Sequence, residues 1–401
     1  TGGCAGGIVA VLREGNLVNC HNKGTKVITQ KNYAGGIVGL SDGEKIQQCT
    51  NSGEITGKIE NDWGLVGGIV GCSAIDSAKI LNCENFGAIS ASGMENGGIA
   101  GAIKGNIEEC KNFGTINGGR EAEKFGINGG IAGYTQGNIV NCSNFGAVNG
   151  KGLNNGGIVG SSYGKVEKCI NCGEITGDSV IVDNQVFGST GGIAGWSNRD
   201  ITNCINKGTI NAKGTRNAGI VGVVEKNNAS VTKCVNMGEI KSTTGSFQNG
   251  GIVGGLNGTV EQCYNSGTIR GTQRLGGICG IVCNRYESTI KNCYNIGSII
   301  PEKSSEYPNE NIQYLGGIIG WMSSNQTSGT ISNNYNIGKI ETTGKNATYV
   351  GGVIGLLSNT FTIKNNYYIE GTTTTNETLS ASGESKTEAQ MKTEEFLALL
   401  N

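Results

Sequence analysis

Along most of the chain, short runs of Ile and Val alternate with Gly and Asn, and the alternation recurs at a fixed period. A Gly-Gly-Ile-x-Gly element begins at Gly6, Gly35, Gly67, Gly97, Gly129, Gly156, Gly191, Ala218, Gly250, Gly276, Gly316 and Gly351. The step between copies runs from 26 to 40 residues and averages about 31. A second element, Ile-x-x-Cys-x-Asn-x-Gly-x-Ile, follows each one; good copies are Ile46–Ile55, Ile80–Ile89, Ile107–Ile116, Ile139–Val148, Ile201–Ile210 and Ile290–Ile299. Both elements are short, rich in β-branched residues and bounded by turn formers, which predicts strands and tight turns. Before residue 370 no 3.6-residue apolar period is sustained, so helical repeats are excluded.

Tandem strand-and-turn units predict an all-β parallel β-helix, a β-solenoid of about twelve coils of ~31 residues stacked about 4.8 Å apart. One wide coil or two narrower rungs per repeat both fit the spacing. The third position of the Gly-Gly element is Ile or Val from Ile8 to Val353, as expected of a column packed on itself in the interior. Its glycines are expected to supply positive φ or a close backbone approach. In the second element Cys and Asn lie two apart and face one side of a strand. An inward Asn column (Asn51, Asn85, Asn112, Asn144 and onward) then predicts a hydrogen-bonded ladder of amides, because buried amides need partners.

Composition narrows the picture further. Gly accounts for 71 of the 401 residues and Pro for 2, without the every-third-residue glycine of collagen. The formal net charge of −1 offers no electrostatic basis for a nucleic-acid partner. No apolar run approaches the length of a membrane helix, so no membrane insertion is expected of this stretch. The first residues already sit inside a repeat, as in a segment of a longer protein.

The Gly-Gly-Ile-Val-Gly elements followed by Cys-x-Asn-x-Gly-x-Ile resemble the GLUG-motif repeats of bacterial cell-surface and adhesin-like proteins, which also occur in some immunoglobulin-A-cleaving metallopeptidases. The resemblance covers nearly all of residues 1–370, and Ile363-Lys-Asn-Asn-Tyr-Tyr looks like the ending of such arrays. It implies a secreted, surface-located β-solenoid with an adhesive or spacer role. It carries over no peptidase activity, since that catalytic motif lies outside the repeats.

Candidate chemistry is sparse. Ten of the 15 cysteines (Cys20, Cys49, Cys83, Cys110, Cys142, Cys169, Cys204, Cys234, Cys263 and Cys293) fill one column, continued by Asn334 and Asn366. Parallel Cβ vectors disfavour disulfides between coils, so a ladder of reduced thiols acting as small hydrophobes is expected. Cys169-x-x-Cys172 has the spacing of half a zinc site, yet Cys172 falls in a variable column beside Phe145, Lys207 and Met237, and no second pair completes a tetrahedral set. No metal and no cofactor are expected. The single histidine, His21, falls in a solvent-leaning column, and the six aspartates are scattered, so no catalytic residues are assigned. The residue two past the Gly-Gly-Ile-x-Gly element is Ser41, Ser73, Ile103, Thr135 or Ser197, not the Asp of calcium-binding β-rolls.

The outer face of the second strand is left. There Phe86, Phe113 and Phe145, then Tyr264, Tyr294 and Tyr335, predict an aromatic stripe that contacts a host or cell-wall glycan or protein ligand, unless a loop covers it. The insertions Asp178–Thr190 and Pro301–Leu315 are expected to bulge from one region of the coil. Residues 371–385 read as a linker, and residues 386–401 as a capping helix with Thr387 and Gln390 at capping-box spacing, burying Phe396, Leu397 and Leu400. The expected whole is a monomeric, non-enzymatic adhesion or spacer scaffold, with a polysaccharide-cleaving enzyme as the alternative.

Overall fold

The structure is a computed structural model and describes residues 3–57, 64–119, 126–178, 180–182, 185–242, 248–283, 285–302, 313–323, 328–342, 348–357, 361–373 and 382–399. It is a parallel β-solenoid with one wide coil per repeat. The first sheet stacks twelve short strands, from Cys4–Gly6 to Thr348–Gly351. A second sheet takes up to three short pieces from each coil, such as Val38–Ser41, Lys45–Gln47 and Thr50–Asn51. A third stacks ten strands, from Val27–Thr29 to Ile299–Pro301. Every pairing between coils is parallel and joins equivalent repeat positions, as in Ile55↔Ile89 and Asn85↔Asn112.

The interior consists of two apolar columns separated by a waist. One joins the Ile37, Val38, Ile46 and Cys49 positions of successive coils. The other joins the Val27, Ala34 and Ile55 positions. The chain crosses between them twice per coil, at the second glycine of Gly-Gly and at the Asn, and these two touch: a Cβ on Gly36 would meet Asn51 Cγ at 2.2 Å, and one on Gly68 would meet Asn85 Cγ at 2.4 Å. Close approach, not positive φ, is what these glycines supply, since none of them lies in the left-handed region. Burying one Ile per column in each coil contributes ~2 kcal/mol apiece.

The asparagines form the expected ladder. Asn51 Nδ2 donates to Asn85 Oδ1 at 2.8 Å and to Gly53 O at 2.9 Å. The same amide-to-amide link continues without a break from Asn22 to Asn336, at 2.7–2.9 Å. The cysteines run beside it. Cys83 Sγ lies 3.3 Å from Leu81 O and 3.7 Å from Ile46 O one coil back. Asn334 replaces the thiol by donating to the equivalent carbonyl, Ile290 O, at 3.0 Å. Among the described residues all fifteen cysteines are free, and burial raises the pKa of Cys110, Cys169, Cys204, Cys234 and Cys263.

One regular feature has no counterpart in the sequence reading. The residue just before each ladder Cys or its Asn replacement has φ between 49° and 56°, twelve times over from Asn19 to Asn365. Asn fills seven of these corners and Gln48, Glu109, Lys168, Lys233 and Gln262 the rest. Asn tolerates this conformation best after Gly.

The C-terminal region departs from expectation. The stretch expected to be linker ends in a strand, Glu384–Lys386, that pairs in parallel with the last three residues of Phe361–Ile369 and covers that end of its edge. The expected single helix is two short ones, α1 (Glu388–Met391), with the Thr387–Gln390 capping box, and α2 (Glu394–Leu399). Phe396 is buried, but Leu397 is 60% exposed, and Leu400 lies outside the described residues. A six-residue helix presents one narrow face, and Phe396 alone occupies it. The insertion Asp178–Thr190 contains a small antiparallel pair, Val180–Val182 with Gln185–Phe187, whereas most of Pro301–Leu315 lies outside the described residues.

Candidate functional site

Two outward surfaces present side chains whose packing the fold does not require. The first is the expected aromatic stripe, which flanks the Asn ladder because residues on either side of each inward Asn must point out. Phe86, Phe113 and Phe145 follow their asparagines and are 49%, 39% and 46% exposed. Their rings stack at 4.9 and 5.0 Å with interplanar angles of 2° and 7°. Tyr264, Tyr294 and Tyr335 precede theirs and stack at 4.8 and 5.0 Å, both at 4°. The six residues therefore make two triads in different columns, four coil steps apart along the axis from Phe145 to Tyr264, about 19 Å at ~4.8 Å per step. Between and beyond them the same two columns carry Ile170, Cys172, Ile205, Lys207, Val235, Met237, Ile296 and Ile337.

Phe396 of α2 ends the tyrosine triad, meeting Tyr335 and Tyr367 edge-on at 6.1 and 5.2 Å. Within each triad, parallel rings a coil apart cover one another's faces and leave edges outward. Burial raises the pKa of Tyr294 and Tyr335. His21 is exposed at the far end of the tyrosine column, with Nδ1 2.8 Å from Thr50 Oγ1 and Nε2 2.9 Å from Asn19 Oδ1. Cys172, the spare half of the Cys-x-x-Cys, is exposed beneath Phe145, while Cys169 is buried in the thiol ladder.

The second surface escaped the sequence reading. The chain bends inward at each Gly-Gly, so the outward residue two before it and the residue just after the element's last glycine converge in a concave corner. That last glycine is needed there, since a Cβ on Gly71 would meet Ala34 N and O at 2.8 Å. Along the corner Asn154 donates to Ser161 Oγ at 2.9 Å, Tyr314 meets Trp321 at 6.0 Å, and the Arg274 guanidinium lies 4.1 Å from the Trp321 centroid. Tyr134, Tyr163 and Trp196 cluster with ring planes tilted by 47° and 44°. Glu95 also faces the corner, between Leu65 and Ile127 of the adjacent strands. Burial pushes its carboxyl up to about 7, with no charged neighbour contributing. The occurrence of Tyr134, Trp196 and Cys72 at one repeat position was the available signal.

Among the described residues no group of three or more His, Cys, Asp or Glu is placed to hold a metal ion, and no helix is long and apolar enough to cross a membrane. No known protein family, curated protein or solved structure matches the chain.

Proposed function

We propose that the chain is a non-enzymatic binding scaffold, a rigid stretch of a secreted bacterial cell-surface protein built of GLUG-type repeats, and that its outer stripe takes a protein ligand. The observation that carries this reading is the recurrence of exposed apolar side chains on one outer face, Phe86, Phe113, Phe145, Met237, Ile296 and Ile337, since exposed apolar patches mark interaction sites. Ring edges and aliphatic side chains suit the apolar side chains of a polypeptide; a sugar needs a free ring face to lie against. The ladders that fix the coils give such a line a fixed spacing, which lowers the ordering cost of binding.

The test is binding of the wild-type chain and a Phe86→Ser, Phe113→Ser, Phe145→Ser variant to arrays of host and cell-wall proteins, alongside a panel of polysaccharides assayed for cleavage. Protein binding lost in the variant supports the reading. Turnover of any polysaccharide replaces it with the carbohydrate-active alternative.

A further inference from the structure

The concave corner has the makings of a separate binding site, on a different face from the outer stripe. Its aromatic cluster of Tyr134, Tyr163 and Trp196 is followed, one coil on, by Arg216, whose Nε donates to the neutral Gln248 Oε1 at 2.8 Å. In the next coil the facing column, aromatic at Tyr134, Trp196 and Trp321, holds Gly255 instead. With no side chain at Gly255, Arg216 lies over that position, and beside it is a cavity of about 230 Å³ lined by Arg216, Glu225, Asn257, Cys283 and Arg285 among others. A Cβ on Gly255 would meet Arg216 Cδ at 3.0 Å and Cys283 Sγ at 3.5 Å. Two arginines thus face this hollow against one carboxylate, Glu225, which Arg285 pairs.

We propose that this corner, from Tyr134 to Arg285, binds a linear acidic glycan. Three observations select that class. The rings tilted by 44° and 47° leave faces open to the flat C–H face of a pyranose, which is drawn to the electron-rich ring face. The excess guanidinium in the adjoining hollow matches a carboxylate, held by charge-assisted hydrogen bonds. The five coil steps involved span about 24 Å at ~4.8 Å each, room for several sugars in a row. An extended peptide finds no strand edge there, because the flanking strands are paired on both sides with the coils above and below, which removes the means of β-augmentation. The site stands whether or not the outer stripe binds a protein.

Trp196 lies at the centre of this corner, so intrinsic fluorescence and calorimetry both report on it. The intact chain is titrated with alginate, hyaluronan, neutral cello-oligosaccharide and poly-glutamate. Alginate or hyaluronan is expected to bind and to weaken with salt, with Kd raised tenfold or more by Trp196→Ala and by Arg216→Gln. Gly255→Leu, at a backbone conformation open to any residue, crowds Arg216 out of its place beside the hollow and is expected to act likewise, with a melting curve recorded to confirm that the variant folds. The Phe86, Phe113, Phe145 triple variant is expected to bind as wild type does. Failure of both acidic glycans to bind, equal binding of the neutral oligosaccharide or of poly-glutamate, or indifference of Kd to all three corner variants overturns the proposal.

Discussion

Asn171 Nδ2 donates to Asn206 Oδ1 at 2.9 Å while Asn171 Oδ1 accepts from Asn144 Nδ2 at 2.9 Å, so each amide is donor to one coil and acceptor from the other. The direction of every link is thereby fixed by its neighbours. Asn171→Asp keeps the acceptor but turns the donating side into oxygen facing Asn206 Oδ1 and Gly173 O. A buried group left without its partner costs ~1–3 kcal/mol, more if charged, so about 3 kcal/mol or more is expected. Asn336→Asp is expected to cost less, because the ladder ends there and only the bond to Gly338 O is lost. Urea melts of the two variants compare them directly; equal losses would show that the ladder does not act as a chain of links.

The thiols should separate by position. Among the described cysteines only Cys172 is exposed, and burial keeps ladder members such as Cys169 and Cys204 protonated at neutral pH. A thiol-reactive dye is expected to label Cys172 rapidly in the native chain and all 15 cysteines after denaturation without reductant. Markedly fewer on denaturation would mean disulfides. Rapid native labelling of the ladder would mean that the coils open readily.

What was legible in the sequence is what each coil repeats identically. Ile37, Cys49 and Asn51 each meet their own equivalents one coil away, so one contact rule is written into the chain many times. The concave corner was harder to read because it joins outward residues from two strands across a bend, and its residue types differ from coil to coil, as Glu95, Asn154 and Arg216 show. The left-handed corner was hidden for a related reason: Asn19, Gln48 and Lys168 share a backbone conformation, not a side-chain chemistry. The edge strand Glu384–Lys386 has no apolar signal at all, since it is held by backbone pairing.

Those left-handed corners predict a simple gain. Lys233 has φ 54°, a conformation in which a side chain with Cβ is strained by ~1 kcal/mol and which Asn tolerates better. Lys233→Asn is expected to stabilise the chain by about 0.5 kcal/mol, and Lys233→Ile to destabilise it by about 1 kcal/mol or more. Thermal melts of the pair decide it; an Ile variant as stable as wild type would contradict the assigned backbone.

Glu95 predicts a pH dependence. Its pKa is raised from the usual carboxylate value to about 7, so the folded state favours the protonated form. That contribution is fully present below about pH 4.5 and is lost as pH rises through about 7. Glu95→Gln, neutral throughout, should therefore gain on wild type between pH 5 and pH 8. Water reaches the half-buried carboxylate, which discounts the gain to about 1–2 kcal/mol. Urea melts at both pH values measure it, and a gap that does not widen toward pH 8 would place the carboxylate in ordinary solvent.

The last coil is closed by two devices that truncation separates. Glu384–Lys386 pairs with the end of Phe361–Ile369, and Glu370 N donates to Lys386 O at 2.9 Å. Ser382 Oγ accepts from Ile354 N at 3.1 Å. α2 adds only Phe396, whose burial against Tyr335 and Tyr367 contributes on the order of 2 kcal/mol less the cost of ordering the helices. A chain ending at residue 386 keeps the edge strand. It is expected to remain monomeric, with faster hydrogen exchange confined to the last coil. A chain ending at residue 373 also frees Tyr367–Ile369, so that the edge Glu384–Lys386 had partly covered is open along its length, a template for another chain, and is expected to associate end to end in a concentration-dependent way. The distant coils around Asn51 should melt as before in both, because each coil is stabilised by its nearest neighbours. Light scattering across a concentration series separates the cases. If the shorter chain stays monomeric, the edge is protected by its own twist and charge; if the longer one associates as readily, Phe396 is the true cap.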